Sequence, residues 1–295
     1  METEKGSTRS SNPSFCRRYS VSDFDLAVTL RSGQVFRWRE EAPDGFSGWV
    51  GRDAVRVHQR NSTLAFEGAT PHAIRHFFCL DLSLPSIARS IDVDPIIHQA
   101  LQTHWGLRLI RQDSWECLAS FILSSFNNIP RITGMIERLC IHFGEPAFPK
   151  PEVLAKVPER VLRNLGLGFR APYLKAAAQA VASGKADLEG WNALEDEALR
   201  QSLLSIPGVG EKVVECVMLF AYGRTAAFPV DVWIGRAMRR RYFRSRKVSD
   251  RKIREFARKH FGPHCGWAQQ YLYCYARGAP ARISLERTEP SGAIS

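Results

Sequence analysis

The hydrophobic pattern of the chain changes once, from a period of two to a period of about 3.6 residues. Between Phe24 and Gly68, apolar and polar residues alternate, first around Val35 to Trp38 and again at Val55 and Val57. Glycine and asparagine interrupt this stretch. Alternation broken by such turn residues predicts short antiparallel strands with one buried face.

From Ser86 onward the period is helical. It is clearest from Ile132 to Phe143, where the apolar residues fall on one face of a helix. Further helices are predicted at about 113–124, 158–165, 171–183, 194–204, 210–222, 231–242, 249–260 and 264–276. Strands followed by helices predict an α+β fold, with a small N-terminal antiparallel β-sheet domain and a mainly α-helical body.

Polar segments at the two ends are predicted to lie outside this fold. We expect a disordered arm over residues 1–20, the sheet domain over 21–95, the helical domain over 96–283 and a loose tail over 284–295. The chain contains no internal repeat and no heptad pattern.

Composition changes the picture mainly through charge. With 295 residues, 44% hydrophobic and 24% charged, the chain is long enough for two small domains and has ordinary globular usage. Its net charge is +11, which favours polyanionic partners and nucleic acid first among them. A ribosome-associated protein, or a charge that serves only solubility, is the alternative at this point.

Seven scattered cysteines without a CxxC pair predict reduced thiols and give no ligand set for structural zinc or an iron–sulfur cluster. The longest apolar run, 213–223, is interrupted by Glu215 and is too short to cross a bilayer. The polar N-terminus lacks the apolar segment of a secretory signal. These features predict a soluble intracellular protein.

The most informative segment is the predicted hairpin at 203–214, which reads Leu-Leu-Ser-Ile-Pro-Gly-Val-Gly-Glu-Lys-Val-Val. One helix ends, a tight turn follows, and a second helix begins at once. Gly208 and Gly210 allow a backbone path that other residues avoid. The amides at the start of the second helix are then free to bind an anion such as a DNA phosphate. The bland interpretation is a glycine turn in an ordinary pair of helices.

Lys212 and Asp231 are the residues most suited to covalent chemistry. Lys212 lies on the first turn of the second helix of the hairpin, and Asp231 follows Phe-Pro-Val at a predicted helix N-cap. A neutral amine at such a position is a nucleophile, and a nearby carboxylate stabilises an electron-deficient sugar carbon. The alternative is a surface lysine and a capping aspartate.

Taken together, these motifs resemble the helix-hairpin-helix, Gly/Pro-rich-loop, Asp superfamily of DNA base-excision glycosylases. The similarity is close to the eukaryotic-type 8-oxoguanine DNA glycosylases and extends over about residues 24–277 in the family's order. It rests on the hairpin with Lys212, the Pro-Val-Asp before the next helix, and four further segments. These segments are 29–39, 124–135, 165–170 and 266–269.

The resemblance implies a bifunctional glycosylase/lyase whose sheet domain packs on the helical body. Lys212 matches the Schiff-base lysine, and Asp231 matches the acidic residue that assists it. Gly33 matches the glycine whose carbonyl accepts the N7–H of the lesion, a hydrogen that guanine lacks. The residues that match those sandwiching the flipped base and reading its Watson–Crick edge are, respectively, Cys216 with Tyr273, and Gln269. By periodicity alone, Cys216 and Tyr273 would be core residues.

Four residues match the region that fills the emptied stack and reads the orphaned cytosine. They are Asn127, Arg131, Phe169 and Arg170, with Phe169 as the wedge. This chain departs from the family at three positions: Phe126 stands at a usual asparagine, Phe169 at a usual tyrosine and Trp233 at a usual histidine. We therefore expect a relaxed preference for the opposite base and a changed contact near the lesion's phosphate.

The predicted activity is removal of 8-oxoguanine opposite cytosine from duplex DNA, followed by strand cleavage through β-elimination. No redox cofactor is required, and a structural cation would bind the backbone carbonyls of Leu204, Ile206 and Val209. The expected partner is double-stranded DNA bound by a monomer, in the cytoplasm of a bacterium or the nucleus of a eukaryote. Two alternatives are a monofunctional glycosylase for alkylated bases, which needs no lysine at this position, and a non-catalytic DNA-binding module.

Overall fold

The alternating segment forms one antiparallel sheet. The computed structural model describes residues 17–41, 44–143 and 147–278. Its strands are β1 (Arg17–Ser20), β2 (Arg39–Glu41), β3 (Gly45–Val50), β4 (Asp53–Arg60) and β5 (Thr63–Glu67), in the order β1-β5-β4-β3-β2. Val57 pairs with Phe66 across β4 and β5, and both are buried. The neighbouring Arg56 is exposed, as a period of two requires.

The remaining described chain is helical and confirms the α+β fold. Most helices begin at an Asp, Asn, Ser or Thr whose side chain accepts a hydrogen bond from a first-turn amide. The helices are α1 (Leu26–Arg31), α2 (Pro71–Phe77), α3 (Leu84–Ile91), α4 (Pro95–Thr103), α5 (Ser114–Leu123), α6 (Ile129–His142), α7 (Pro151–Lys156), α8 (Glu159–Leu162), α9 (Ala171–Ala182), α10 (Asp196–Leu204), α11 (Glu211–Phe220), α12 (Val232–Tyr242), α13 (Asp250–Phe261) and α14 (Cys265–Gly278).

Seven of the eight predicted helix ranges are confirmed to within two residues at each end. The exception is the range 158–165, because α8 stops at Leu162 and the chain continues through irregular turns. Gly166 and Gly168 have φ of +87° and +58° there, which breaks the helix and raises Phe169 to the surface.

Two boundaries differ from the sequence prediction. Residues 17–20 of the expected arm form β1, because Arg17 to Ser20 pair with β5 and extend the sheet. Helix α3, which falls inside the expected sheet domain, packs into the large core of the helical body through Leu84 and Ile91. The rest of the predicted arm, 1–16, and the predicted tail lie outside the described residues.

Buried polar side chains fix the sheet domain to the helical body. Arg108 is buried and donates to the carbonyl oxygens of Asp23, Cys79 and Leu82. Gln34 donates to the Arg108 carbonyl at 2.8 Å and accepts from the Ile110 amide at 2.9 Å. These bonds hold the segment after α1 against the strand-like residues 107–112. No helix of the described residues is long and apolar enough to cross a membrane.

Candidate active site

The predicted hairpin is present as α10, a six-residue turn and α11. Gly208 has φ +83°, and a Cβ there would lie 2.4 Å from Cγ of Tyr173. Gly210 is the N-cap of α11, and a Cβ built on it has no atom within 4 Å. In the described part of the chain no side chain caps α11, so its first amides face open space. This geometry suits a bound anion.

The three carbonyls predicted to hold a cation lie in the same turn. The carbonyl of Ile206 accepts a hydrogen bond from the Val209 amide at 3.1 Å, which leaves it one further lone pair. Among the described residues no cluster of three or more His, Cys, Asp or Glu could hold a metal. A cation at the hairpin would therefore depend on the backbone oxygens of Leu204, Ile206 and Val209, and it stays a prediction.

Lys212 projects from the first turn of α11 toward the C-terminal end of α5. Its Nζ donates to Oγ of Ser124 at 2.7 Å and lies 4.9 Å from the ring centre of Phe121. Cys216, one turn further along α11, is buried, and burial raises the pKa of its thiol to about 11. Cys216 therefore presents a neutral S–H beside the amine.

Asp231 is the N-cap of α12, as the sequence predicts. Its Oδ1 accepts from the Ile234 amide at 2.8 Å. Burial raises the pKa of this carboxyl, although the amide hydrogen bonds and the positive charge of Lys212 act in the opposite direction. The two residues thus share one electrostatic environment despite their separation in sequence.

A cavity of about 280 Å³ connects these groups. Six of the predicted catalytic and base-recognition residues line it: Gly33, Lys212, Cys216, Asp231, Gln269 and Tyr273. Sequence reasoning gave no role to four other lining residues, Phe121, Ser124, Gln270 and Arg277. Because these residues are far apart in the chain, only the folded arrangement identifies them.

Gly33 occupies a position that other residues would not fit. Its φ is +82°, and a Cβ there would lie 2.9 Å from Cδ1 of Ile129 and 3.4 Å from Cε1 of Tyr273. The preceding carbonyl, of Ser32, accepts from Nε2 of Gln270 at 3.0 Å. The backbone at Gly33 is therefore held rigidly at the cavity wall.

Gln269 brings an unpartnered polar atom to the cavity. The residue is 4% exposed, and its Oε1 has no hydrogen-bond partner among the described residues. A buried acceptor without a partner costs about 1–3 kcal/mol. Such an atom in a cavity wall indicates a ligand that donates a hydrogen bond to it.

Two aromatic side chains stand out from the surface beside the cavity. Phe126 is 95% exposed and has φ +48°, and Phe169 is 49% exposed. Their ring centres are 6.5 Å apart. The side chain of Arg170 is buried beneath them and donates to the carbonyls of Ser125 at 2.8 Å and Phe126 at 2.9 Å. It also lies 4.2 Å from the ring centre of Phe169, so it braces both rings.

The other two predicted opposite-base residues lie on the same loop. Nδ2 of Asn127 donates to the Leu123 carbonyl at 3.1 Å, and its Oδ1 accepts from the Asn128 amide at 3.1 Å. Arg131 is exposed on the first turn of α6, which Asn128 caps. In this state Asn127 and Arg170 hold the loop, whereas Arg131 and Phe169 offer free surface.

Comparison with known proteins gives a consistent set of matches. Residues 18–118 match the model of the 8-oxoguanine DNA glycosylase N-terminal domain, and residues 119–263 match that of the HhH-GPD superfamily of base excision DNA repair proteins. A probable N-glycosylase/DNA lyase of Methanothermobacter thermautotrophicus is 30% identical, over 88% of this chain and 96% of that protein.

Two solved structures share the architecture. One, of MBOgg1 in complex with a low-affinity DNA ligand, has a TM-score of 0.84 and 36% identity over 87% of this chain and 93% of that one. The other is the Clostridium acetobutylicum 8-oxoguanine glycosylase/lyase in complex with double-stranded DNA containing cytosine opposite 8-oxoguanine. It has a TM-score of 0.82 and 30% identity over 89% and 98% of the two chains.

Proposed function

The chain belongs to the 8-oxoguanine DNA glycosylase family of helix-hairpin-helix base-excision repair proteins, and on this premise we propose which of its residues perform each step. It is a DNA glycosylase with lyase activity at the abasic site, and it excises 8-oxoguanine. The observation that carries the residue assignment is that Lys212 and Asp231 share a cavity with the fixed Gly33 and the unpartnered Gln269.

Recognition follows from the cavity walls. The lesion is flipped out of the duplex and enters between Cys216 and Tyr273. The carbonyl of Gly33 accepts the N7–H that distinguishes 8-oxoguanine from guanine, and Oε1 of Gln269 accepts a donor from the Watson–Crick edge. An undamaged guanine would leave the Gly33 carbonyl unpaired, which disfavours its binding.

Chemistry starts at the amine of Lys212. Its lone pair attacks C1′ while the glycosidic bond breaks and the bond's electron pair leaves with the base. Loss of a proton from Nζ and opening of the sugar give an imine between Lys212 and C1′. The imine acidifies C2′, and loss of that proton breaks the C3′–O bond and releases the 3′ phosphate. Asp231 stabilises the positive charge that develops on the sugar.

The emptied stack is filled by the aromatic pair. Phe169 enters as the wedge, Phe126 stacks near the orphaned cytosine, and Arg131 donates to the cytosine acceptors. Asn127 and Arg170 keep this loop in place. With a ring at Phe126 instead of a polar reader, the preference for cytosine is modest.

The open amides of α11 grip a phosphate of the damaged strand, with Gly208 and Gly210 shaping the turn. Binding is by a monomer, wherever the DNA of the cell lies, in the bacterial cytoplasm or the eukaryotic nucleus. The hairpin cation remains compatible with this assignment and enters none of its steps.

A nicking assay separates this function from the two alternatives. Purified protein is incubated with duplexes that contain 8-oxoguanine, an alkylated purine or no lesion. We expect a strand break only opposite the 8-oxoguanine. A heat-labile abasic site without a break would indicate a monofunctional enzyme, and binding without product would indicate a non-catalytic module.

A further inference from the structure

The C-terminal half of α12 and the turn after it form a strongly basic surface. Residues 232–249 contain seven lysines and arginines and no acidic residue. We use "basic track" for six of them, Arg236, Arg240, Arg241, Arg244, Arg246 and Lys247, all of which are exposed. The seventh, Arg239, donates to the Val248 carbonyl and pairs with Asp250, so it is committed to the fold.

The cations of the basic track have no structural partners that would explain them. Within the described ranges, Arg240, Arg241, Arg244, Arg246 and Lys247 make no ion pair and no side-chain hydrogen bond. Arginine in the last turn of a helix is stabilised by the helix dipole, which accounts for Arg240 and Arg241. It does not account for the three that follow the helix.

The turn that carries these three residues is ordered. The amide of Ser245 donates to the Arg239 carbonyl at 2.8 Å, and the amide of Arg246 donates to the Phe243 carbonyl at 2.9 Å. Arg244 and Ser245 have φ of +49° and +60°. The turn therefore folds back onto the end of α12 and keeps its charges beside those of the helix.

The basic track begins at the cavity. Trp233 lines the cavity and is 45% exposed, and the Arg236 guanidinium lies 5.7 Å from its ring centre. Trp233, Arg236 and Arg240 are spaced by three and four residues, so they share one exposed face of the helix. Since α12 has 11 residues, this face leads about 16 Å away from the cavity.

We propose that the basic track binds the phosphate backbone of duplex DNA beyond the lesion and extends the footprint of the protein along the helix. The proposal rests on the proposed function, because the strand whose base enters the cavity must pass its mouth. Unpaired, mostly forked donors spaced along a helix face suit successive phosphates.

Equilibrium binding tests the basic track. In the Lys212→Gln background, which keeps DNA intact, Arg240, Arg244 and Lys247 are changed together to Gln. The control changes Arg60, Arg75 and Arg89 to Gln, which removes the same charge from β4, α2 and α3. Duplexes extend about 4 or about 15 base pairs beyond 8-oxoguanine on each side, because 4 base pairs reach only about 14 Å.

On the long duplex, the track variant should bind about tenfold more weakly than the control at about 0.1 M salt, with a slope of log K against log salt reduced by about 0.9 per lost phosphate contact. On the short duplex, the two should bind alike. A third variant, Arg240→Lys with Arg244→Lys, should bind the long duplex like the parent. Equal losses for track and control, or an equal loss on both lengths, would overturn the proposal. Absence of excision by the parent would instead refute the proposed function.

A separate contact carries a second inference. Oγ of Ser124 accepts from Nζ of Lys212 at 2.7 Å and donates its single proton to the Phe121 carbonyl at 2.7 Å. Since that proton is committed, Ser124 presents only lone pairs to the amine. One N–H of neutral Lys212 then points at Ser124, and the nitrogen lone pair must point elsewhere.

We infer that Ser124 is a positioning residue that aims the lone pair of Lys212, an inference that rests on the assignment of Lys212 as nucleophile. The ring of Phe121 and the thiol of Cys216 restrict the amine from two further sides. Ser124 itself is held as the C-cap of α5, where its amide donates to the Ser120 carbonyl at 3.0 Å.

Substitutions at Ser124 separate positioning from folding. Ser124→Ala should slow borohydride-trappable imine formation by about 10- to 100-fold with unchanged DNA affinity and thermal midpoint. Ser124→Thr, which keeps the hydroxyl, should restore most of the rate. The control is Ser183→Ala, because Ser183 is the C-cap of α9 and its Oγ donates to the Ala180 carbonyl in the same way. Equal trapping by Ser124→Ala and parent would overturn the inference, and so would failure of Ser124→Thr to restore the rate.

Discussion

At the scale of single residues, Asp231 combines a structural and a chemical role in one carboxylate. It caps α12 and faces the amine of Lys212, and burial raises its pKa. A folded-state pKa above the unfolded value means that the contribution to stability is present at low pH and is lost as pH rises through the folded pKa. At neutral pH the ionised carboxylate therefore destabilises the fold.

Asp231→Asn should keep the cap, because the asparagine oxygen also accepts from the Ile234 amide. We expect a higher thermal midpoint than the parent at pH 7 and a smaller difference at about pH 4, where the parent's carboxyl is largely protonated. Single-turnover base removal should fall by about 10²- to 10⁴-fold. Unchanged excision would refute the role of the carboxylate.

Phe126 is the residue at which opposite-base selectivity is decided. It is nearly fully exposed beside Phe169, where a ring can stack but cannot read cytosine. Phe126→Asn should widen the excision ratio of 8-oxoguanine opposite cytosine over adenine, since a good pair of hydrogen bonds contributes about 1–3 kcal/mol. Four duplexes that differ only in the opposite base give the ratio. A parent with strict cytosine dependence, and ratios that the variant leaves unchanged, would exclude Phe126 from this contact.

Single residues were predictable where a motif marks them. Lys212 follows a glycine turn and Asp231 follows a proline, and both lie at the cavity. Ser124 and Arg277 carry no such mark. Ser124 meets Lys212 across 88 positions of sequence, and no period of two or 3.6 reports a contact between helices that far apart.

At the scale of elements, the two glycines of the hairpin have different tasks. Gly208→Ala would place a methyl 2.4 Å from the Tyr173 ring at a positive φ, so it should lower the free energy of unfolding by about 1 kcal/mol or more. Gly210→Ala meets no atom within 4 Å and has an ordinary φ of −102°. It should leave stability unchanged but weaken DNA binding, because the methyl occupies space where a phosphate approaches. Full DNA affinity in Gly210→Ala would contradict phosphate binding at α11.

A buried carboxylate fastens the hairpin to α13. Glu215 on α11 is fully buried, and its Oε1 lies 2.6 Å from Arg200 and 3.0 Å from Arg258, while its Oε2 accepts from the Phe228 amide at 2.6 Å. Removing one member of such a network leaves buried charges unpaired.

Glu215→Gln should therefore lower the free energy of unfolding by about 3–5 kcal/mol, measured by urea denaturation. The control is Glu255→Gln, which breaks the exposed pair with Arg251 and should cost less than about 1 kcal/mol. Similar losses in both variants would show that the Glu215 network contributes no more than a surface pair.

Elements with their own start and stop signals were predictable from sequence. α12 begins at Asp231 and α13 at Ser249, each an N-cap visible in the sequence. Strand β1 was missed because its four residues are polar and become a strand only by pairing with β5. The early end of α8 was missed because leucines on both sides of Gly166 continue the helical period.

At the scale of the whole molecule, the cavity exists only because distant segments converge. Gly33 comes from the sheet domain, Lys212 from the hairpin and Gln269 from α14. Charge and the order of elements predicted a DNA-binding α+β protein. The meeting of these segments could not be predicted by local pattern, since it depends on packing of helices far apart in sequence.

The central claim, that Lys212 forms a covalent imine with DNA, is tested most directly by borohydride reduction during turnover. A duplex with 8-oxoguanine opposite cytosine is incubated with the protein and reductant, and the modified peptide is located by mass spectrometry. We expect one protein–DNA adduct, attached at Nζ of Lys212, and none with Lys212→Gln. An adduct of equal yield in Lys212→Gln, or attachment at another residue in the parent, would contradict the claim.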